Sequence, residues 1–172
     1  MIKDGIGGAN TQTGLRFEEK INLSTAISQL PNYEVISDRV FYNGKLVAQL
    51  FSKHKLYKNL LELKGVNHIN YVSKKLLPDE AILVEDILFI VEMKFQVVAG
   101  SVDEKLQTCH FKKRQYTKLF SNTGIKVEYV YVLNDWFKKP EYKDVLEYIT
   151  EVGCHYYFNE IPLSILGLNN DV

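Results

Sequence analysis

The segment PDEAILVEDILFIVEMKFQV, residues 78–97, determines the fold that we expect. Two apolar runs, residues 81–84 and 87–91, flank a polar turn at Glu85-Asp86, which predicts a pair of antiparallel strands. The second run is almost continuously apolar, as in a strand that is buried on both faces. This part of the chain therefore predicts the centre of a β-sheet.

Polar residues follow directly on the second apolar run. Glu92, Lys94 and Gln96 alternate along the chain, so we expect all three side chains on one side of the sheet. Charged side chains are unfavourable directly next to a buried strand, because burial removes them from water. Conflicts of this kind between local sequence and fold are typical of functional sites. The alternative is a surface hairpin whose charges are simply exposed to water.

The rest of the chain alternates predicted helices and strands. Asn43-Gly44 is a strong hairpin signal, Gly65 ends one helix, and Pro140 begins another. We predict helices over 15–30, 53–63 (capped by Ser52, with Leu63 among its buried positions), 101–120 and 140–153, and strands over 33–42, 45–51, 126–133 and 154–161. This order predicts a single α/β domain over residues 1–172, with a central mixed β-sheet flanked by helices.

A glutamate is expected near the middle of the first helix. Leu15, Leu23, Ala26 and Leu30 fall in one apolar stripe at helical spacing, and Glu19 lies within that stripe. A carboxylate among apolar side chains is costly unless a partner compensates it. Glu19 is thus a candidate site residue, or alternatively a helix-edge glutamate paired with a nearby lysine.

Composition limits the class of protein. The formal net charge is zero, no run of 18 apolar residues predicts a membrane span, and the N-terminal residues lack the apolar core of a secretion signal. Cys109 and Cys154 are far apart in sequence and do not have metal-binding spacing, so we expect reduced thiols in a cytoplasmic protein. The four histidines show no zinc pattern.

The charged residues of the 78–97 segment suit phosphodiester hydrolysis. Asp79 and Glu92 offer the hard oxygen ligands that Mg²⁺ prefers, and the backbone carbonyl of Met93 can add a neutral oxygen. Lys94 shares the predicted face of Glu92 and can contact a nucleophilic water or the scissile phosphate. As a bare pattern this spacing is common, so its context carries the argument.

The same residues resemble the signature of the PD-(D/E)XK nucleases. Pro78-Asp79 followed by Glu92-Met93-Lys94 is similar to that signature, and the continuation through GSVDEKL, residues 100–106, resembles type II restriction endonucleases of this superfamily. The order of predicted helices and strands is also similar over about residues 14–162. The resemblance implies a restriction-endonuclease-like core.

The resemblance also implies roles for individual residues. Asp79 and Glu92 would be Mg²⁺ ligands, with Mn²⁺ able to substitute, and Lys94 would be the catalytic lysine. Glu19 would contribute to the metal site, directly or through water, and Gln96 would orient water or phosphate near it. The implied reaction is metal-assisted cleavage of double-stranded DNA, leaving a 5′-phosphate and a 3′-hydroxyl. If these groups line an open site, Glu92→Ala and Lys94→Ala should abolish cutting and largely spare folding.

Clusters of basic residues offer a surface for DNA. Seven lysines and one acid lie between residues 45 and 75, and a second basic run covers residues 112–118. Such clusters can face phosphates on a neutral protein, or they can be ordinary solvated surface. The candidate DNA-binding residues are Lys53, Lys55, Lys58, Lys105, Lys112, Lys113 and Arg114.

Three functions remain open at this stage. The favoured one is a sequence-specific type II restriction endonuclease that acts as a homodimer, because cutting both strands requires two sites related by a twofold axis. A second is another nuclease of the superfamily, such as a junction resolvase, repair or nicking enzyme. The third is a non-catalytic DNA-binding module on the same fold. The recognition sequence is not encoded in any recognisable pattern.

Overall fold

A seven-stranded mixed sheet forms the centre of the structure, a computed structural model that describes residues 14–18 and 21–168. In spatial order the strands are β2 (Tyr33–Ile36), β3 (Arg39–Tyr42), β4 (Lys45–Phe51), β5 (Glu80–Val84), β6 (Ile87–Lys94), β7 (Lys126–Leu133) and β8 (His155–Phe158). A separate small sheet pairs β1 (Gly14–Arg16) with β9 (Glu160–Pro162) in antiparallel register.

The sheet is antiparallel on one side of β6 and parallel on the other. Strands β2 to β6 are joined as successive antiparallel neighbours, whereas β6, β7 and β8 run parallel. Asn43 and Gly44 both adopt positive φ, at 47° and 76°, as the tight turn between β3 and β4 requires. The prediction of a mixed central sheet in an α/β protein is confirmed.

Helices lie on both faces of this sheet. They are α1 (Leu23–Ser28), α2 (His54–Leu56, continued by a π-helical turn at Tyr57–Leu61 and a 3₁₀ turn at Glu62–Lys64), α3 (Val102–Leu106), α4 (Cys109–Phe120) and α5 (Lys143–Glu151). Short 3₁₀ turns occupy His68–Asn70, Asp135–Lys138 and Pro140–Tyr142. Among the described residues, no helix is both long and apolar enough to cross a lipid bilayer.

Two apolar cores, one on each face, hold the layers together. On one face, Leu88 and Ile90 of β6 pack in a cluster with α2, α4 and α5. On the other face, Phe89 and Val91 pack in a cluster with α1 and the segment after β9. Because successive residues of a strand point to opposite faces, Glu92 and Lys94 continue the first face. We call it the α4 face.

The first predicted helix begins later than expected. Leu15 lies in β1 rather than in a helix, and α1 starts at Leu23, where the Asn22 side chain accepts a hydrogen bond from the Thr25 amide. Leu15 and Phe17 are buried on either side of the exposed Arg16, which is the period of a strand. The stripe that was assigned to one helix therefore spans two elements.

The predicted helix over 101–120 is interrupted. Helix α3 ends at Leu106 and α4 starts at Cys109. The buried hydroxyl of Tyr131 lies 3.2 and 3.3 Å from the carbonyl oxygens of Lys105 and Leu106, and the Thr108 hydroxyl donates to the Lys105 carbonyl at 2.7 Å. These contacts occupy carbonyls that a continuous helix would use for its own backbone bonds.

Two other long predicted elements are divided as well. The strand predicted over 33–42 is two strands, β2 and β3, and the strand predicted over 154–161 is divided between β8 and β9. The helix predicted over 53–63 is present, but Ser52 does not cap it and Leu63 is exposed rather than buried. Lys53 takes the cap position with φ 45°, an uncommon conformation for a non-glycine residue.

Candidate active site

The turn between β5 and β6 fixes the pairing register of the two strands, and this register determines which residues lie side by side at the other end of the hairpin. Val84 pairs with Ile87 across the turn, and the ladder runs without interruption to the pair of Glu80 and Val91. One step beyond this last pair come Asp79 and Glu92, whose carboxylates both contact Lys94. Residues opposite each other in antiparallel strands have neighbouring side chains on one face. The hairpin therefore brings the two predicted ligands together on the α4 face.

Lys94 bridges the two carboxylates. Its Nζ lies 3.2 Å from Glu92 Oε2 and 3.7 Å from Asp79 Oδ2. The side chain of Glu92 is 6% exposed and that of Lys94 18%, whereas that of Asp79 is 53% exposed. The cluster thus has a buried end at Glu92 and an end open to solvent at Asp79.

A second lysine reaches Glu92 from helix α4. Lys112 Nζ lies 2.8 Å from Glu92 Oε1 and 3.0 Å from Oε2, so it contacts both carboxylate oxygens. From the sequence, Lys112 is expected in a basic run that faces DNA, so this contact is unexpected. Twenty residues separate the two partners, and their encounter depends on how α4 packs on the sheet. No local pattern in the sequence indicates it.

The surroundings of Glu92 keep its carboxyl group ionised. Burial by itself would raise the pKa of Glu92, but the charge of Lys94 and the hydrogen bond from Lys112 outweigh it, so this pKa lies below its ordinary value. The buried Tyr129 hydroxyl next to it forms no hydrogen bond of standard geometry. Burial and then the charge of Glu92 raise the pKa of Tyr129 far above its usual range.

The Met93 carbonyl, which was predicted as a further metal ligand, lies on the edge of β6 that faces β5. The Asp86 and Lys94 carbonyls accept bonds from the β7 side, from Lys126 and Asn134. Alternate carbonyls of a strand point to opposite edges, so the Met93 carbonyl points to the β5 side.

The residue that would pair with Met93 there cannot donate a hydrogen bond. In the register of β5 and β6, Pro78 follows as the partner of Met93, and proline has no N–H. Pro78 also turns its own carbonyl away, accepting a bond from the Lys53 amide at 2.9 Å. The ladder ends here, and the Met93 carbonyl has no ladder donor from β5.

The oxygen atoms at this end of the hairpin are suitable ligands for a hard divalent cation. The carboxylates of Asp79 and Glu92 meet at Lys94, at one end of a hairpin, and oxygen ligands of this kind suit Mg²⁺ or Mn²⁺. Within residues 14–18 and 21–168, no group of three His, Cys, Asp or Glu side chains is arranged to hold a metal. Any cation at Asp79 and Glu92 would thus complete its coordination with water, phosphate or the backbone.

Of the two other predicted site residues, Gln96 is held by Asn134 and Val98, and Glu19 lies outside the described residues. Strand β6 ends at Lys94, so the alternation predicted through Gln96 does not continue. Gln96 is buried and held by Asn134 through both backbone groups, while its amide nitrogen donates to the Val98 carbonyl at 2.6 Å. Its Oε1 atom is buried without a hydrogen-bond partner.

The predicted DNA-binding residues fall into two groups. Lys53, Lys55 and Lys58 are exposed on α2 and the residue before it, and Lys105 and Arg114 are also exposed. In contrast, the amines of Lys112 and Lys113 are engaged within the protein. Lys113 Nζ lies 3.0 Å from Glu128 Oε2 and donates to the Gly153 carbonyl at 2.6 Å.

Helix α2 lies against the segment that leads into Asp79. The Lys53 amide bonds to Pro78, as described above, and the Tyr57 hydroxyl donates to the Leu76 carbonyl at 2.8 Å and accepts from the Leu76 amide at 3.1 Å. The backbone of Lys53 therefore lies next to Pro78, the residue that precedes Asp79, whereas Lys55 lines a cavity with Glu80.

Glu80 points to the other face of the sheet from Asp79. It lines a small polar cavity with Asn22, Asp38 and Lys55. Burial, and then the negative charge of Asp79, raise the pKa of Glu80 to about 7, against the opposing influence of Lys55 and Lys53. Glu80 is thus a partly protonated carboxyl group at neutral pH and lies outside the Glu92 cluster.

The two cysteines of the chain are free and buried. No family model, curated protein or solved structure matches this chain.

Proposed function

We propose that this protein is a magnesium-dependent endonuclease that cleaves double-stranded DNA, with Asp79, Glu92 and Lys94 as its active site. One observation carries the proposal. A buried glutamate and a half-exposed aspartate share a lysine at the mouth of a hairpin, and their residue types and order match the PD-(D/E)XK signature.

Each residue has a distinct chemical task in this proposal. Asp79 and Glu92 would hold Mg²⁺, with the Met93 carbonyl as a further oxygen. The ion would supply a more acidic water and neutralise the charge that develops on the phosphate. Lys94 would orient the attacking water or the scissile phosphate, because its ammonium lies on the same face as both carboxylates. The products would carry a 5′-phosphate and a 3′-hydroxyl.

The position of the basic helix supports DNA as the substrate. Lys53, Lys55 and Lys58 are exposed in or next to α2, and the Lys53 amide binds the carbonyl of Pro78, which precedes Asp79. A phosphate backbone lying along α2 would pass close to the open end of the cluster. The logarithm of the DNA affinity falls linearly with the logarithm of the salt concentration. Each phosphate contact that is removed makes this slope shallower by about 0.9. Replacing all three lysines by glutamine should therefore lower the slope by up to about 3.

A matched control tests whether that effect is local. Lys126, Lys138 and Lys143 are exposed lysines outside α2 and outside the basic run 112–118. Their triple glutamine variant loses the same formal charge and should leave both the affinity and the salt slope near those of the unmodified protein. Equal losses in the two triple variants would contradict a DNA-binding surface at α2.

The finer proposal is a sequence-specific type II restriction endonuclease, cytoplasmic and homodimeric. A subunit with one such cluster cuts both strands only if a second copy supplies the other site. The test is digestion of a sequenced supercoiled plasmid in Mg²⁺ or Mn²⁺, with EDTA and Asp79→Asn as controls, followed by end mapping.

The digest separates the possible outcomes. Discrete double-strand breaks at a repeated sequence support the full proposal. Cleavage of branched, damaged or nicked DNA alone would retain a nuclease of this superfamily and reject the restriction activity. Binding of DNA without metal-dependent cleavage would reject the catalytic proposal and leave a DNA-binding module. Asp79→Asn is the best control, because this side chain is half-exposed and its ion pair with Lys94 is long, at 3.7 Å.

A further inference from the structure

Lys112 occupies a position that an exposed DNA-binding lysine would not need. It follows Cys109 by three residues and precedes Tyr116 by four, and both of those side chains are buried against the sheet. Residues at these spacings share one face of a helix. Lys112 therefore projects from the buried side of α4, and its amine ends on Glu92.

The charges of the cluster balance without a metal ion. Asp79 and Glu92 carry two negative charges, and Lys94 and Lys112 carry two positive charges, all linked by contacts of 2.8 to 3.7 Å. Lys112 contacts both oxygens of Glu92. A divalent cation that takes an oxygen of Glu92 as ligand must compete with this amine for it.

The structure also gives Lys112 room to move. Its side chain is 27% exposed, compared with 18% for Lys94. A lysine amine is a compact charge on a flexible stem, so it can return to water when a stronger cation replaces it. Lys94 has less freedom, because it is more deeply buried and is shared with Asp79.

We propose that Lys112 is the resident counter-ion of the metal site: it holds Glu92 in place in the metal-free protein and is displaced when a divalent cation binds. This inference rests on the proposed function, because it takes Asp79 and Glu92 as the metal ligands. It gives Lys112 a positioning role that lowers the affinity for metal and keeps a buried carboxylate neutralised until metal arrives.

The test measures metal binding rather than cleavage. Mn²⁺ is titrated into the full-length protein without DNA, and free Mn²⁺ is counted by electron paramagnetic resonance. Lys112→Met should bind Mn²⁺ at least about tenfold more tightly than the unmodified protein, which corresponds to about 1.4 kcal/mol. Lys112→Arg keeps the charge and should stay within about threefold of the unmodified protein.

Lys113→Met is the matched control. Lys113 is the next residue on α4 and also forms an internal ion pair, but with Glu128 rather than Glu92. Its loss should leave Mn²⁺ affinity unchanged. Equal affinities in Lys112→Met and the unmodified protein would overturn the inference, and so would equal gains in both methionine variants.

A second measurement requires no variant of Lys112. Acetylation of lysines in the unmodified protein is followed by mass spectrometry with and without Mn²⁺. The rate at Lys112 should rise several-fold with Mn²⁺, while the rate at Lys113 should not. An unchanged rate at Lys112 would overturn the inference even if Lys112→Met failed to fold.

Asp79→Asn distinguishes the failure of this inference from the failure of the proposed function. If Asp79→Asn binds Mn²⁺ as tightly as the unmodified protein, the metal site itself is wrong and the nuclease proposal falls with it. If Asp79→Asn loses binding but Lys112→Met binds like the unmodified protein, only the counter-ion role of Lys112 is rejected.

Discussion

Replacing Glu92 by glutamine should destabilise the metal-free protein as well as abolish cleavage. In a metal site composed only of carboxylates, neutralising one acid relieves repulsion between like charges. Here the balance differs, because Lys94 and Lys112 already surround Glu92 at 2.8 to 3.2 Å. Removing the charge of Glu92 leaves these two ammonium groups facing each other.

The size of the destabilisation in Glu92→Gln depends on how deeply the two lysine partners are buried. Removing one partner of a fully buried ion pair costs about 3–5 kcal/mol. The side chains of Lys94 and Lys112 are 18% and 27% exposed, so they can recover part of their hydration. The glutamine oxygen can also still accept one hydrogen bond. We therefore expect a loss of about 2 kcal/mol in the free energy of unfolding, below the range for a fully buried pair.

Asp79→Asn supplies the comparison. Asp79 is half-exposed and its ion pair with Lys94 is long, at 3.7 Å. Exposed pairs of this kind contribute little, so Asp79→Asn should change stability by less than about 0.5 kcal/mol. The assay is urea unfolding in EDTA at pH 7, with the midpoint and the slope fitted separately. If Glu92→Gln unfolds at the same urea concentration as the unmodified protein, or at a higher one, the buried ion-pair argument is refuted.

Three further predictions concern the neighbours of Glu92. Lys94→Ala should abolish plasmid cleavage yet lower the melting temperature only by a few degrees, since Glu92 keeps its second ammonium. Glu80→Gln tests the raised pKa of Glu80, about 7 against 4.5. A raised carboxyl pKa stabilises the fold fully below pH 4.5, and that contribution is lost as pH rises through 7. Glu80 is only about half buried, so solvent screening reduces the effect of this shift. Glu80→Gln should therefore stabilise the protein at pH 8 by about 1–2 kcal/mol and leave it unchanged at pH 4, measured by urea unfolding. Tyr129→Phe removes a buried hydroxyl that lacks a hydrogen bond of standard geometry, and thermal melting should show a loss below about 1 kcal/mol.

The expectation of an open site was only half correct. Asp79 is exposed as expected, but Glu92 is buried and paired twice. Glu92→Ala was expected to spare folding, and the structure predicts the opposite. Loss of cleavage in a Glu92 variant would therefore combine a chemical and a structural effect. Asp79→Asn and Lys94→Ala are the cleaner probes of catalysis.

The central strands could be predicted because their signal is local. An apolar run that changes into alternating charges predicts a strand, and β6 and β7 have the expected positions. Even the pairing of the candidate ligands follows from the sequence. A two-residue turn at Glu85-Asp86 pairs residues that are separated by an odd number of positions. Asp79 and Glu92 are 13 positions apart, so they come side by side when this register is continued.

Other features depend on packing and left no local signal. The break between α3 and α4 follows from the Tyr131 hydroxyl, which is contributed by a strand 25 residues or more away in the chain. The contact between Lys112 and Glu92 likewise requires α4 to pack on the sheet at one rotation. Basic residues 112–114 look equivalent in the sequence, yet two of them form internal ion pairs and one is exposed.

Pro78 has a physical role at this end of the hairpin. An antiparallel ladder continued by two more pairs would place residue 78 opposite Met93 and supply the Met93 carbonyl with an N–H donor, but Pro78 has none. The chain instead turns at Pro78, binds back to Lys53, and carries Asp79 to the end of the sheet beside the basic helix. A single residue thus ends the ladder, leaves a carbonyl oxygen without a ladder partner, and joins the acidic cluster to the basic surface. Because cation binding and phosphate binding would both depend on that corner, the Asp79 side of the hairpin is where metal and DNA would meet.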